Sequence, residues 1–390
     1  MSTVINFKSV LQSIKTRGLF RSLKEVQGPQ GSVVRISGRD LVNFCSNDYL
    51  GLAGDRRLIS AMQRAVERYG VGSGASPLVC GRSEAHALLE QRLAQVSGRD
   101  RALVFASGYQ ANLAVVTALG PGRDGTVVED RLSHASLIDG AVLSRARLVR
   151  FQHRDCASLE QRLQENGTKK LVLTDSVFSM DGDIAPLPAI AALCKKYQAL
   201  LAVDDAHGFG VLGDHGMGAL ALFGLHQAEV PILILTFGKA AGVSGACVAG
   251  PADIIEMLIQ KARPYIYSTA IPPALAATVT ASIEIIKSAD DRRSHLSNLI
   301  NIFRRGVAQL SLPVAESITP IQPLIVGSNA EALRVSEELY ARGFLVAAIR
   351  PPTVPANSSR LRITLTAAHS ETQVKLLLDA LQAARIKGGR

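Results

Sequence analysis

Between about residues 51 and 285 the chain repeats one pattern, and that pattern limits the folds open to it. Short apolar runs recur at Ala102–Phe105, Thr126–Val128, Leu171–Thr174, Leu200–Val203 and Ile232–Leu235. They carry apolar residues on both faces, as strands buried in a parallel sheet do. Helix-period segments such as Arg57–Tyr69 and Ala85–Val96 alternate with them. Strands that alternate with helices predict a doubly wound α/β domain. In such a sheet the chemistry collects beyond the carboxyl ends of the strands. Several run-ends are polar: Ser107-Gly108, Asp175, Asp204 and Thr236. Their convergence predicts one shared site.

The flanking regions read differently. Residues 1–50 form an N-terminal arm that opens on an amphipathic stretch, with Phe7, Val10, Leu11 and Ile14 at helical spacing. Strand-like runs follow at Val33–Ile36 and Leu41–Phe44. From 286 to 390, helical segments at about 290–310, 329–342 and 370–386 frame strand candidates at Gln322–Val326, Leu345–Ala348 and Arg360–Leu365. That region predicts a smaller α+β domain beside the large one at 51–285. No internal repeat is present.

Composition excludes several classes. Apolar residues make up 47% and charged residues 19%, a balance able to bury a core and unlike a disordered chain. The five cysteines (45, 80, 156, 194 and 247) are scattered, with no CxxC pair, which argues against a zinc site and for free thiols in a reducing cytoplasm. The net charge of +10 suggests an anionic partner, but the basic residues are dispersed and carry no nucleic-acid-binding motif. No apolar run reaches the roughly 20 residues of a membrane helix. The N-terminus lacks the apolar centre of a secretory signal. Ala270–Ile286, the nearest membrane candidate, contains Pro272, Pro273 and Glu284 and reads as a loop leading into a buried helix.

The chemistry-bearing residues follow the strands. Lys239, in Thr236-Phe237-Gly238-Lys239, is surrounded by small residues that let a ligand approach the backbone. Desolvation there would make its amine a nucleophile, although a lysine at a helix start is also an ordinary surface residue. Asp204 ends a buried strand and needs a partner. A protonated pyridine nitrogen at about 4 Å would be worth roughly 4 kcal/mol to it at an effective dielectric of about 20. The alternative is a turn-capping carboxylate, with His207 an ordinary loop histidine. Ser107-Gly108-Tyr109-Gln110-Ala111-Asn112 joins a strand to a helix, where backbone N–H groups either bind phosphate or merely cap the helix. His134, in Ser133-His134-Ala135-Ser136, could lie flat on a cofactor ring or be structural. Gly70–Ser76 is glycine-rich but lacks the lysine of a phosphate loop, and neither GxSxG nor HExxH occurs.

Taken together, these motifs resemble the α-oxoamine synthases, a family of fold-type I pyridoxal 5'-phosphate (PLP) enzymes. The resemblance spans nearly the whole chain. It begins with Asn47-Asp48-Tyr49-Leu50-Gly51 and continues through Ser133–Ser136 and Phe178-Ser179-Met180-Asp181-Gly182-Asp183. Asp204-Asp205-Ala206-His207 and Thr236–Lys239 complete the order. It implies a mostly parallel large domain, a smaller α+β C-terminal domain, a homodimer and no metal. Lys239 would hold PLP as a Schiff base, Asp204 would pair with the ring nitrogen, His207 with the ring hydroxyl, and His134 would stack on the ring. Gly108, Tyr109, Ser179 and Thr236 would contact the cofactor, and Thr269 the phosphate of the neighbouring subunit. Arg21, Asn47, His134, Thr353 and Arg362 match substrate-contacting positions, with the Arg362 fork suited to a carboxylate.

The Ile321–Val326, Arg350–Thr353 and Arg360–Arg362 segments are closest to the branch serving biotin biosynthesis. That branch joins L-alanine to a pimeloyl thioester, on CoA or on an acyl carrier protein, with loss of carbon dioxide. Lys15, Arg17, Arg21 and Lys24 would draw such an anionic donor. Sister enzymes such as 2-amino-3-oxobutyrate CoA ligase share the same Lys, Asp and His. Pro77, Phe209 and Ala240-Ala241 depart from the closest family pattern and bear on acyl specificity.

Overall fold

The computed structural model describes residues 6–165, 167 and 169–386. The outermost residues of the two terminal regions predicted above, 1–5 and 387–390, lie outside that description. The chain divides into two compact units: Asn47–Ser179 with Asp183–Ser294, and Met1–Ser46 with Met180–Gly182 and His295–Arg390.

The larger unit is built on a seven-stranded sheet. Across the sheet the strands run Arg101–Phe105, Ala246–Gly250, Ile232–Thr236, Leu200–Asp204, Lys170–Asp175, Thr126–Asp130 and Arg147–Phe151. All are parallel except Ala246–Gly250, which is antiparallel to both neighbours. Each predicted run lies within an observed strand. The sequence pattern did not reveal two of the seven. Ala246–Gly250 is Ala-Cys-Val-Ala-Gly, poor in β-branched residues, and becomes a strand because it fills the gap between two others. Arg147–Phe151 is an edge strand whose arginines disguise it.

The core of this unit lies between the sheet and its helices. Leu103, Phe105, Leu173 and Ile234 of the sheet pack with Ala114, Val115 and Val116 of the Gly108–Leu119 helix. That helix starts where Ser107 Oγ accepts the Gln110 N–H at 3.2 Å. The adjacent Ala135–Ser144 helix starts at His134, whose side chain accepts the Ser136 N–H. The two helices approach closely because residue 140 is glycine: a Cβ there would lie 2.8 Å from Val116 Cβ. This contact sets the position of both helix N-termini relative to the strand ends. The Pro273–Lys287 helix is largely buried, as the reading of Ala270–Ile286 anticipated.

The smaller unit holds two sheets. Val26–Gln27, Val33–Ile36, Arg39–Asn43 and Phe344–Leu345 form one, and Ile321–Gly327, Ser359–Thr364 and Ala347–Ile349 the other. The hairpin between Val33–Ile36 and Arg39–Asn43 turns at Ser37 and Gly38, both with positive φ, as a two-residue turn requires. The single strand expected at Leu345–Ala348 is split at Val346, one half pairing with Arg39–Asn43 and the other with Ser359–Thr364. The amphipathic Phe7–Thr16 helix forms, but it buries no residue and leaves Phe7 68% exposed.

Replacing Gly140 with Val forces the two helices apart. The expected result is a loss of roughly 1–3 kcal/mol in unfolding free energy, measured by chemical denaturation of the purified protein.

Candidate active site

The carboxyl ends of the central strands bring three aspartates to one buried edge. Asp175 and Asp204 are direct neighbours in the ladder between Lys170–Asp175 and Leu200–Asp204, and Asp205 follows. Bare carboxylates cannot share such an edge, so each has donors. Asp204 accepts the Asn112 Nδ2–H at 2.7 Å on one oxygen and the Ala206 N–H at 3.0 Å on the other. Asp175 accepts the His134 N–H at 2.9 Å. Asp205 accepts the Ser176 hydroxyl and the Ala219 N–H. Gly208 and Gly218 leave room for it, since a Cβ on either would fall about 2 Å from its carboxylate oxygens. Burial pushes Asp205 up to about 7. Burial, and then the charge of Asp204, raise Asp175 well above the ordinary carboxylate range. Like charges in one low-dielectric place require such displacement.

A relay of hydrogen bonds leads from Asp204 to His134. Asn112 spends one amide hydrogen on Asp204 and the other on Ser136 Oγ, at 2.8 Å. Ser136 Oγ lies 2.6 Å from His134 Nδ1, which also accepts the Ser136 N–H at 3.3 Å. Flipping the Asn112 amide would turn its oxygen onto the Asp204 carboxylate, so the donor direction is fixed. Ser136 then donates to Nδ1, and the neutral ring carries its proton on Nε2. Burial lowers the His134 pKa; the Asp204 charge opposes this and the Lys239 charge adds to it. Lys239, half-buried in the loop after Ile232–Thr236, also acts on Asp175 and Asp205.

The other expected residues of the larger unit fall around this edge. His207 is buried, with Nδ1 2.7 Å from the Tyr49 hydroxyl, which donates to Asn47 Oδ1 at 3.2 Å. Gly108 faces Thr236, whose Oγ1 would be 3.7 Å from a Cβ at that glycine. The Tyr109 ring meets the His134 ring edge-on at 6.4 Å, and its hydroxyl donates to Asp139. Ser179 is half-buried in the loop after Lys170–Asp175. Thr269 is exposed on the loop before Pro273–Lys287 and lines a cavity with Ala106 and Gln110, close in sequence to Gly108 and Tyr109. Three substrate candidates belong to the smaller unit: Arg21 and Thr353 are exposed, and Arg362 is buried in Ser359–Thr364. Phe209 is a core residue, 2% exposed.

Residues 39–381 match the aminotransferase class I and II family. The chain is 53% identical to the 8-amino-7-oxononanoate synthase of Pseudomonas syringae pv. tomato, over 97% of this chain and 95% of that one. It is also 53% identical to the enzyme of that name from Methylococcus capsulatus, over 96% of each. The chain belongs to the 8-amino-7-oxononanoate synthases.

Solved structures agree. A serine palmitoyltransferase from S. paucimobilis, solved with PLP and myriocin, superposes with a TM-score of 0.92 at 30% identity, covering 97% of this chain and 96% of that one. An 8-amino-7-oxononanoate synthase from Francisella tularensis gives 0.78 at 30% identity, covering 88% and 97%. This is a fold-type I, PLP-dependent C-acyltransferase. The donor set fits that cofactor: a buried carboxylate for a protonated ring nitrogen, an amine beside it, a neutral imidazole, and a helix N-terminus for phosphate. Gly238 borders open space, with nothing within 4 Å of where its Cβ would be.

Sequence reasoning did not single out Asn112, Ser136 or Tyr49, which hold the functional side chains. Asn112 left one signal, a polar residue in the apolar Ala111–Val116 stretch, where burial demands a partner. Tyr49 appeared only as a member of the Asn47–Gly51 motif, because its hydroxyl meets His207 only through tertiary packing. An Asn112→Leu protein deprives both Asp204 and Ser136 of a donor. A buried acceptor left short costs about 1–3 kcal/mol, so PLP binding, read by spectroscopic titration, is expected to weaken by roughly tenfold or more.

Proposed function

We propose that this synthase condenses L-alanine with a pimeloyl thioester, carried by CoA or by an acyl carrier protein. The products would be 8-amino-7-oxononanoate, carbon dioxide and the free thiol. The observation that carries this reading is the Asp204–Asn112–Ser136–His134 relay beside Lys239. PLP, when bound, supplies a charged ring that accepts the electron pair left on an amino acid's α-carbon.

The chain's own residues do the rest. Asp204, fixed by Asn112 and the Ala206 N–H, keeps the ring nitrogen protonated. Lys239 would anchor the cofactor through its amine, and the same amine is the base that would take the proton from the amino acid's Cα. His207, steadied by Tyr49, holds the ring hydroxyl. His134 would stack on the ring, where its Nε2–H would be a donor to the carbonyl of the incoming acyl group. The N–H groups at Gly108 and Tyr109, with Ser179 and Thr236, hold phosphate and ring. Arg362 binds the amino-acid carboxylate through its guanidinium fork, with Asn47, Thr353 and Arg21 completing the substrate contacts.

The reading extends to assembly. Thr269 serves the cofactor phosphate of a second subunit in a homodimer, in keeping with its exposure. Exposed apolar side chains such as Val71, Val79 and Tyr267 supply surface for such a contact. Five unpaired cysteines suit the cytoplasm, and among the described residues no helix is long and apolar enough to cross a membrane.

The test is Lys239→Ala. The variant is expected to lose the visible band of the bound cofactor and at least roughly a thousandfold in kcat, with an unchanged far-ultraviolet circular dichroism spectrum. Turnover at the wild-type rate would sink this assignment.

A further inference from the structure

A second cluster of charge lies behind the site, centred on a residue with no part in the reaction described above. His153 places Nδ1 2.9 Å from Asp130 Oδ1 and Nε2 2.9 Å from Asp183 Oδ2. The two carboxylates come from different segments. Asp130 ends Thr126–Asp130, and its Oδ1 also accepts the Leu132 N–H at 2.8 Å, while its carbonyl accepts the Ser133 N–H at 3.1 Å. It therefore holds the turn that delivers His134. Asp183 stands on the returning limb of the loop that carries Ser179, where its carbonyl accepts the Phe178 N–H at 3.0 Å. The Phe178 ring, one residue before Ser179, meets the His153 ring edge-on at 4.4 Å. One imidazole thus touches both segments expected to hold the cofactor.

We propose that His153 is a positioning residue, clamped between Asp130 and Asp183, that fixes the His134 turn against the Ser179 loop. The inference rests on the assignment of those two residues to PLP. Both ring nitrogens of His153 are taken by Asp130 and Asp183.

Charge supports the geometry. Burial opposes protonation of His153, but its hydrogen bonds to Asp130 and Asp183 and their negative charge outweigh it and push its pKa up to about 9. Both ring nitrogens are then donors, which two carboxylates require and a neutral ring cannot satisfy. The groups facing the ring are Asp130 from the strand, Asp183 and Phe178 from the loop, and neighbouring Arg154, whose guanidinium shares Asp183 at 3.0 Å. Arg154 adopts φ +57° and donates its N–H to Asp130 Oδ2 at 2.9 Å, so the backbone around His153 is tied to the same two carboxylates. A histidine whose pKa rises on folding, from about 6.5, stabilises the fold fully below that value. The contribution fades as the pH climbs through about 9.

The experiment compares PLP dissociation constants and the induced circular dichroism of bound PLP in full-length wild type, His153→Gln and Asp183→Asn. Both variants are expected to bind PLP roughly tenfold or more weakly and to change the induced signal. The thermal stability gap between wild type and His153→Gln is expected to narrow as the pH rises past about 9. If His153→Gln does not fold, Asp183→Asn decides alone. Wild-type affinity and an unaltered induced signal in the folded variants would overturn the clamp. Failure of the cofactor assignment looks different: wild type itself would take up no PLP, and the clamp would fall with it.

Discussion

The site depends on how a carboxylate is kept buried at the end of a parallel strand. Asp204 is usable because its two oxygens are held by two donors of different origin, the Asn112 amide and the Ala206 backbone. The neighbouring acids are displaced upward by burial, Asp205 to about 7 and Asp175 well beyond its ordinary range. The charge of that edge is therefore managed by the protein before any ligand arrives. A preset electrostatic environment needs little reorganisation during reaction. The same donor that fixes Asp204 also sets the His134 tautomer through Ser136, so the Asp204 carboxylate and the His134 imidazole share one amide.

Helix placement serves that arrangement. The Gly108–Leu119 helix brings its N-terminus beside Thr236 and Asn112 to Asp204. Its rotation and depth must satisfy both, and the close approach at Gly140 limits how far it can shift. Glycines at 208 and 218 perform a similar service for Asp205, whose carboxylate occupies the space their side chains would fill. Behind these, His153 joins the His134 turn to the Ser179 loop by two charged hydrogen bonds. Rigidity is thus distributed over residues that never meet the substrate.

Much of this was legible in the chain itself. The buried runs at 171–174, 200–203 and 232–235 marked their strands because strands covered on both faces are apolar throughout. Polar residues at their ends marked the site for the same reason. The Ala246–Gly250 strand escaped because Val248 is its one β-branched residue and pairing with both neighbours makes it a strand. The split at Val346 escaped because two sheets share one short stretch. The grouping of residues 1–46 with the C-terminal region depends on pairings such as Arg39–Asn43 with Phe344–Leu345, far apart in sequence. Likewise, Lys239, Asp204, His134 and His207 stood out as chemically capable side chains in motifs. Asn112, Tyr49 and His153 act through partners that only folding brings near, and Ser136 joins its neighbour His134 to one such partner, Asn112.

The most direct measurement is an absorbance titration of the PLP-loaded protein with L-alanine, glycine and L-serine, followed by pimeloyl-CoA. The chain contains no tryptophan, which keeps its own ultraviolet background low. An enzyme working as described shifts its visible band with L-alanine in preference to the other two and then releases free CoA and carbon dioxide. A response to glycine or L-serine but not to L-alanine, or no CoA release from the pimeloyl thioester, would contradict the proposed reaction.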